Sequence, residues 1–234
     1  MLVGIDASRA VADRPTGTET YSQRPIPALL ALDRAHLFRR SFRRAPAPRL
    51  FQGGELRVIP FPRLWTHLRL SWEMVRRPPD LLFVPSHVVP PFRPVRTVVT
   101  IHDLGYLHFP SAHPWRQRIY LDLSTRWSAR AASHVVTDSA ATRADLIRRY
   151  ETAPGKITVA HPGIDESLHP VRDRSRVRAT MHKYGISGDY FVFLGTIQPR
   201  KNLRRLVEAF ARVAAPGAEH DLKLVLAGKR GWLC

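Results

Sequence analysis

Cysteine is almost missing from this chain, with one in 234 residues, at position 234. No disulfide can form within it, which suits a reducing compartment. Long apolar runs are missing too. The longest uncharged stretch, residues 81–92, is broken by three prolines and falls well short of the ~18 apolar residues of a membrane span. The opening MLVGIDASRA has no basic segment followed by a long apolar one, so no secretory leader is expected. No His/Cys set has zinc-binding spacing, and no repeat or low-complexity tract occurs. There is no helix-turn-helix, zinc-finger or RNA-binding signature and the arginines are scattered, so no specific nucleic-acid partner is expected.

Acidic residues are scarce, at 19 against 37 basic ones, and only five of the basic residues are lysine. The resulting charge of +18 has two readings. One is an arginine-rich solvated surface that follows genome base composition. The other is a protein that works on anionic partners, such as nucleotide sugars, lipid phosphates or an anionic membrane. With 44% hydrophobic residues the chain can bury a core, and its length suits one large domain or one and a half ordinary ones.

Strand-like and helix-like runs alternate. Strands are expected at 2–5, 56–59, 81–84, 95–101, 134–137, 156–160, 190–194 and 222–227. Helical periodicity marks 64–75, 117–130, 140–150, 174–184 and the stretch from Leu203 through Phe210. Ser139 is placed to cap the helix at 140. Leu64, Trp65, Leu68, Trp72 and Val75 share one face, expected to be core rather than membrane anchor. Arg69, Arg76 and Arg77 keep a peripheral membrane contact open. A first helix is expected to start at Pro25 or Pro27, because proline is tolerated only in a first turn. The arginine-rich stretch 39–49 reads as a loop. This rhythm indicates a doubly wound, mostly parallel α/β sheet. The expected division is a Rossmann-like domain at 1–165, a connector at 166–188 and the first βαβ unit of an incomplete second domain at 189–234.

The stretch YFVFLGTIQPRKN, residues 190–202, carries the most chemistry. A buried strand ends in Gly195, a loop presents Arg200 and Lys201, and a helix follows. Backbone N–H groups and the helix dipole at such a point favour an anion. Cations in a first helical turn oppose the dipole, so a purely structural role for these two is awkward. Asp6 and Arg9 can face a ligand or simply close the sheet edge.

Six segments in order, GIDASR with TGTE, VVTIHDLGYLHFP, DSAATRADLIRRY, KITVAHPGID, FLGTIQPRKNLRRLVEAF and LVLAGKRGW, together resemble a retaining glycosyltransferase of family 4. The closest flavour is the mannosyltransferases of bacterial polysaccharide assembly. The resemblance implies the GT-B fold, two Rossmann-like domains facing each other across a cleft. It also implies transfer of a hexose, mannose first among them, from a nucleotide-sugar donor (GDP-mannose the leading choice) to a polysaccharide or lipid-linked acceptor. No cofactor beyond that co-substrate is implied. Sugar transferases that hold a metal on the diphosphate use an Asp-x-Asp pair, which this chain lacks, so no metal is expected. The expected place is cytoplasmic, peripheral at the inner face of the plasma membrane.

By the same resemblance, Arg200 and Lys201, with Gly195 and Gly17, bind the donor diphosphate. His102 and Asp103, directly after the strand at 95–101, are the catalytic pair, although His102 also reads as a histidine bonding loop backbone. Thr16, Thr18, Glu19 and Ser139 contact acceptor or sugar, and Glu19 reads equally as a first-turn acid. The family's second domain also carries paired glutamates, a base pocket and a final helix, none of which is seen here. The chain therefore reads as truncated, with little turnover expected of it alone and with Phe191, Phe193, Val225 and Leu226 lacking neighbours on at least one face. The alternative is a non-catalytic acceptor-binding half, with a separate chain supplying the rest.

Overall fold

Short β-branched and aliphatic runs between helices favour parallel strands joined by helical crossovers. The computed structural model describes residues 1–13, 15–46, 53–165, 167–214 and 222–231. It divides into two compact units, Met1–His108 with Trp115–Gly163, and Phe109–Pro114 with Ile164–Cys234.

The first unit is built on seven strands: β1 (Leu2–Asp6), β2 (Leu37–Phe42), β3 (Glu55–Val58), β4 (Leu81–Val84), β5 (Thr97–Ile101), β6 (His134–Thr137) and β7 (Ile157–Val159). Their order is β3-β2-β1-β4-β5-β6-β7, and every pairing is parallel. The chain winds outward from β1 in one direction and then returns through β4 in the other. The crevice beyond the carboxyl ends of β1 and β4 is thus a topological switch point, where ligands bind in open α/β sheets.

Two apolar clusters sandwich the sheet. On one side Val3, Ile5, Phe38 and Phe42 meet Ile26 of α2 (Pro25–Leu32), which follows α1 (Gly17–Gln23). On the other, Leu82, Val84, Val99, Ile101 and Val135 meet Trp65, Leu70, Met74 and Leu146. These come from a π-helical turn (Trp65–Leu70) continuing into α3 (Ser71–Arg76), and from later helices. The later helices are α4 (Gly105–His108), α5 (Trp115–Ala131) and α6 (Ala140–Tyr150). Strand alternation divides β4 between the clusters, with Leu81 and Phe83 packed against the first.

Three expectations are corrected. A helix does begin at Pro25, in its first turn, but α1 precedes it from Gly17 and the two meet at Arg24. Within 39–49, residues up to Phe42 belong to β2, while 47–49 lie outside the described residues, as does Cys234. Phe38 and Phe42 anchor that strand in the core, Arg40 between them donates to the Gly53 carbonyl, and Arg39 pairs with Glu55 at 2.7 Å. Partnered guanidinium groups replace the polar/apolar alternation that would have marked the strand. The third correction concerns 64–75. Trp65, Leu70 and Met74 are buried, whereas Leu64, Leu68, Trp72 and Val75 are exposed. The opening turn is π-helical, with i→i+5 hydrogen bonding, so Trp65 and Leu70 fall on the same side and, of the face expected inward, only Trp65 stays buried.

The second unit carries α7 (Arg174–Lys183), capped by Asp173, which accepts from the N–H groups of Ser175 and Arg176 at 2.9 and 3.2 Å. Strands β8 (Tyr190–Leu194) and β9 (Lys223–Ala227) pair in parallel, joined through α8 (Leu203–Val213). Phe191 meets Phe210 of α8 edge to face, centroids 6.4 Å apart. Phe191 is still 57% exposed and Leu194 82%. A two-stranded sheet with one helix buries too little apolar surface to be rigid. Amides of β8 and β9 are expected to exchange at least about a hundredfold faster than those of β1, β4 and β5 in native-state hydrogen exchange. Equal protection would refute this.

Candidate functional site

In the first unit, loops at the carboxyl ends of β1, β4, β5 and β6 converge on His102. This residue follows β5. Its Nδ1 lies 2.6 Å from Asp138 Oδ2, after β6, and its Nε2 3.1 Å from the Pro85 carbonyl, after β4. Both neighbours accept. The His102 carbonyl accepts from Thr142 Oγ1 at 3.0 Å. The ring of Tyr21, from α1, stands edge-on to the imidazole with centroids 4.7 Å apart, and the Tyr21 hydroxyl is 3.4 Å from Thr100 Oγ1. Burial, with Asp138 nearby, pushes that phenol's pKa up.

Asp103 is engaged elsewhere. It is exposed, and its Oδ1 accepts from the Gly105 N–H at 2.8 Å, closing the turn into α4. Glu19 accepts from the Thr16 N–H at 3.0 Å and from the Thr16 hydroxyl, and lies 3.4 Å from Arg9. Burial opposes its charge, but the Thr16 hydrogen bonds and Arg9 outweigh burial and hold the carboxyl below its ordinary range. Thr16 and Glu19 thus form the reciprocal start of α1, with Thr18 in its first turn, where its carbonyl accepts from Ser22 Oγ at 2.9 Å. Gly17 begins the same helix. A Cβ there would meet nothing within 4 Å, so internal packing does not require glycine. Ser139 caps α6, its Oγ accepting from the Thr142 N–H at 3.1 Å.

Sequence reasoning missed His87 and Asp138, and left Asp6 and Arg9 undecided. The His87 ring centroid is 6.2 Å from that of His102, and its Nδ1 is buried without a hydrogen-bond partner. Burial, reinforced by His102, lowers the His87 pKa to about 4. Asp6, buried at the end of β1, accepts from the Ser8 N–H at 3.0 Å through Oδ1, while its Oδ2 is unpartnered. Burial raises its pKa, against the hydrogen bonds from Ser8 and the charge of Arg9. The available signal was position, since polar residues directly after core strands land on this edge. Beside it opens a hollow of about 860 Å³, lined by Arg9, Glu19, Arg43, Arg44, His67 and Tyr120 among others. Among the described residues no group of three or more His, Cys, Asp or Glu is placed to hold a metal ion.

The second unit has its own polar edge. Arg200 and Lys201 occupy a 3₁₀ turn, Pro199–Lys201, immediately before α8. Gly195 and Gly228 end β8 and β9 with φ of 158° and 155°, a region that favours glycine. A Cβ on Gly228 would fall 1.7 Å from the Gly195 carbonyl oxygen, so the two loops can approach only because residue 228 lacks a side chain. Ile197 N–H donates to the Lys229 carbonyl at 2.9 Å, and Gly231 N–H to the Ile197 carbonyl at 2.8 Å. The loop bearing Arg200 and Lys201 therefore runs beside one bearing Lys229 and Arg230. This second cation pair was overlooked, although AGKRG after a strand repeats the glycine-then-cation pattern.

Two measurements check this geometry. His87 is held neutral in the folded state, with a folded pKa below its unfolded value. Its contribution is present above about pH 6.5 and lost as pH falls towards about 4, at up to about 1.4 kcal/mol per pH unit. Denaturant unfolding of wild type and His87→Gln across that window is expected to show a shallower loss in the variant. Ser139→Ala is expected to cost about 1 kcal/mol through the lost cap, measured in the same way.

Residues 16–168 match the profile of Glycosyltransferase Family 4. O-antigen chain mannosyltransferase B of Escherichia coli is 27% identical over 171 residues, 73% of this chain and 44% of that protein. WaaG, a glycosyltransferase involved in lipopolysaccharide biosynthesis, superposes with a TM-score of 0.67 at 18% identity, covering 99% of this chain and 64% of WaaG. Anabaena HepE, solved with UDP and glucose, gives 0.66 at 15% identity, covering 99% of this chain and 61% of HepE. These likenesses establish the fold, with the seven-stranded unit corresponding to a Rossmann-like domain of the GT-B class. The chain spans under half the length of the mannosyltransferase and about 60% of the two solved chains. The profile match across most of the first unit, on the parallel sheet and polar edge described above, shows that this chain belongs to Glycosyltransferase Family 4.

Proposed function

We propose that the protein transfers a hexose from a nucleotide-sugar donor to a polysaccharide or lipid-linked acceptor with retention, mannose from GDP-mannose being the leading choice. The observation that carries this reading is the paired cationic loops, Arg200–Lys201 and Lys229–Arg230, at the carboxyl edge of β8 and β9. Breaking a sugar–phosphate bond leaves charge on the departing nucleotide diphosphate. Fixed cations at that point stabilise the transition state more than the ground state, and one such group is worth about 3–4 kcal/mol of barrier. Arg200 and Lys201 hold the diphosphate in this reading, with Gly195 letting the backbone approach. They supply the charge that a metal supplies in other transferases, so turnover is insensitive to chelators.

On the first unit, His102 contacts the sugar at the reacting end, held in one orientation by Asp138 and the Pro85 carbonyl. The role of Asp103 is to shape that loop. Gly17 leaves room for donor or acceptor, and Thr16, Thr18, Glu19 and Ser139 place the surrounding turns. The similarity to a mannosyltransferase of O-antigen chains supports mannose and a cell-envelope glycan, and HepE, with UDP and glucose in its structure, makes a uridine donor the competitor. The reaction belongs at the cytoplasmic face of the membrane, where such donors are made.

A second reading has its own support. The chain covers 44% of the mannosyltransferase, and the 860 Å³ hollow lies wholly within the first unit. In that reading the chain binds acceptor and a partner chain supplies the remainder.

Calorimetric titration with GDP-mannose and UDP-glucose, alongside turnover with a mannose-containing oligosaccharide, separates the two. Transfer is supported if donor binding weakens at least about tenfold in Arg200→Ala and any turnover falls about 10²–10³-fold. Oligosaccharide binding with no affinity for either donor assigns the second reading. Gly17→Ala is expected to leave stability unchanged or raise it by up to about 1 kcal/mol while weakening ligand binding. Unchanged binding would remove Gly17 from the site.

A further inference from the structure

Strand β2 lies between β3 and β1, so the turn after it stands between the loops that follow those two strands. That turn begins with Arg43 and Arg44. Arg43 serves the β3 side. Its Nε donates to the Phe61 carbonyl at 3.2 Å, and its guanidinium also donates to the Pro62 carbonyl. Arg44 serves the β1 side. Its Nε donates to the Val11 carbonyl at 2.8 Å, and its terminal nitrogens grip both oxygens of Asp13 at 2.9 and 2.7 Å. One dipeptide thus holds both neighbouring loops, mostly by their backbone.

The same loops line the hollow of about 860 Å³, Arg9 and Val11 from the β1 loop, Phe61, Pro62 and Leu64 from the β3 loop. The β3 loop is strained. Leu64 is left-handed, with φ 52° and ψ 34°, a region that branched side chains rarely adopt. It is 60% exposed, so burial in the core does not hold it there. Strain of this kind persists where the surroundings impose it. Arg43 imposes it from one side, on the Phe61 and Pro62 carbonyls. Trp65 does so from the other, its Nε1 donating to the Ile59 carbonyl at 2.8 Å.

The π turn that follows brings His67 Nε2 to 3.3 Å from the Tyr120 hydroxyl, and both line the hollow. A half-exposed aromatic ring with Arg9, Glu19 and His67 around it suits sugar rings, which offer hydroxyls to polar groups and a C–H face to an apolar one. The volume lies near the top of the range for whole small ligands, so it has room for a short oligosaccharide.

We infer that Arg43 and Arg44 are positioning residues for a glycan acceptor, a double clamp that sets the separation of the two loops between which successive sugar units lie. The inference rests on the acceptor side of the proposed function, common to both of its readings. It adds residues that act through backbone carbonyls. Lysine cannot replace them, because one ammonium does not fork across two fixed acceptors as a guanidinium does.

The test is calorimetric titration of the full chain with mannose, mannobiose and mannotriose. Two further rings, each making about one net hydrogen bond, imply that wild type binds mannotriose at least about thirtyfold more tightly than mannose. In Arg43→Gln and in Arg44→Gln that ratio is expected to fall to about threefold or less, with the affinity for mannose changed less than about twofold. A loss of stability alone lowers affinity for every length alike and leaves the ratio unchanged. Arg43→Lys keeps the charge and is expected to behave as Arg43→Gln does; it serves alone should the glutamine variant fail to fold by circular dichroism. In hydrogen exchange without ligand, the Arg43 variants should speed the amides of 63–67 and Arg44→Gln those of 9–13, each leaving the other loop unchanged. The inference is overturned by a length ratio that survives in the Arg43→Gln/Arg44→Gln double variant, by full rescue with lysine, or by loops that exchange at wild-type rates. Wild type that binds none of the three sugars overturns the acceptor reading itself, a result distinct from these because it precedes any substitution.

Discussion

A single imidazole ties the ends of three strands together. His102, after β5, reaches Asp138 after β6 and the Pro85 carbonyl after β4, so the loops that make the polar edge of the first unit are fastened at one ring. Parallel strands have no direct hairpins to hold their carboxyl ends in register. A side chain that accepts or donates on both sides does that work here, and Thr142 of α6 joins it through the His102 carbonyl. Removing the ring would leave Asp138, already with one buried unpartnered oxygen, without its partner at Oδ2. Leaving a half-buried acceptor unsatisfied costs more than the lost hydrogen bond itself.

Around this knot the unit gathers polar atoms that its own fold does not satisfy. Asp6 Oδ2 and His87 Nδ1 are both buried and unpartnered, as is Asp138 Oδ1. Buried polar atoms are normally paired, and these orphans concentrate at a switch point of the sheet. The second unit solves a different problem. Gly228 lets two loops lie against each other, and those loops carry four cations.

Much of the fold could be read from residue order. The strand bounds at 81–84, 134–137 and 190–194 and the helix bounds at 140–150 coincide with the structure, because each run has one period and clear punctuation. β2 was illegible because Arg39 and Arg40 look solvated in sequence, yet one is paired with Glu55 and the other buried against Gly53. The facing of 65–76 was misread because a π turn shifts the phase of every residue after it. At the site, His102 was legible as a polar residue after a β-branched strand. Its partner Asp138 lies 36 positions away, and no periodicity links the two.

Sequence alone determined the alternating α/β rhythm, the family, and the glycine-and-cation loop after Tyr190–Leu194, because these depend on neighbours within a few residues. Tertiary structure alone decided which acid holds His102, that His87 Nδ1 and Asp6 Oδ2 are buried without partners, that the loop of Lys229 and Arg230 runs beside that of Arg200 and Lys201, and which face of 65–76 meets solvent. Each of these depends on strand order or helical phase, which bring together residues far apart in the chain. Local sequence sets what a segment can become, and packing sets what it touches.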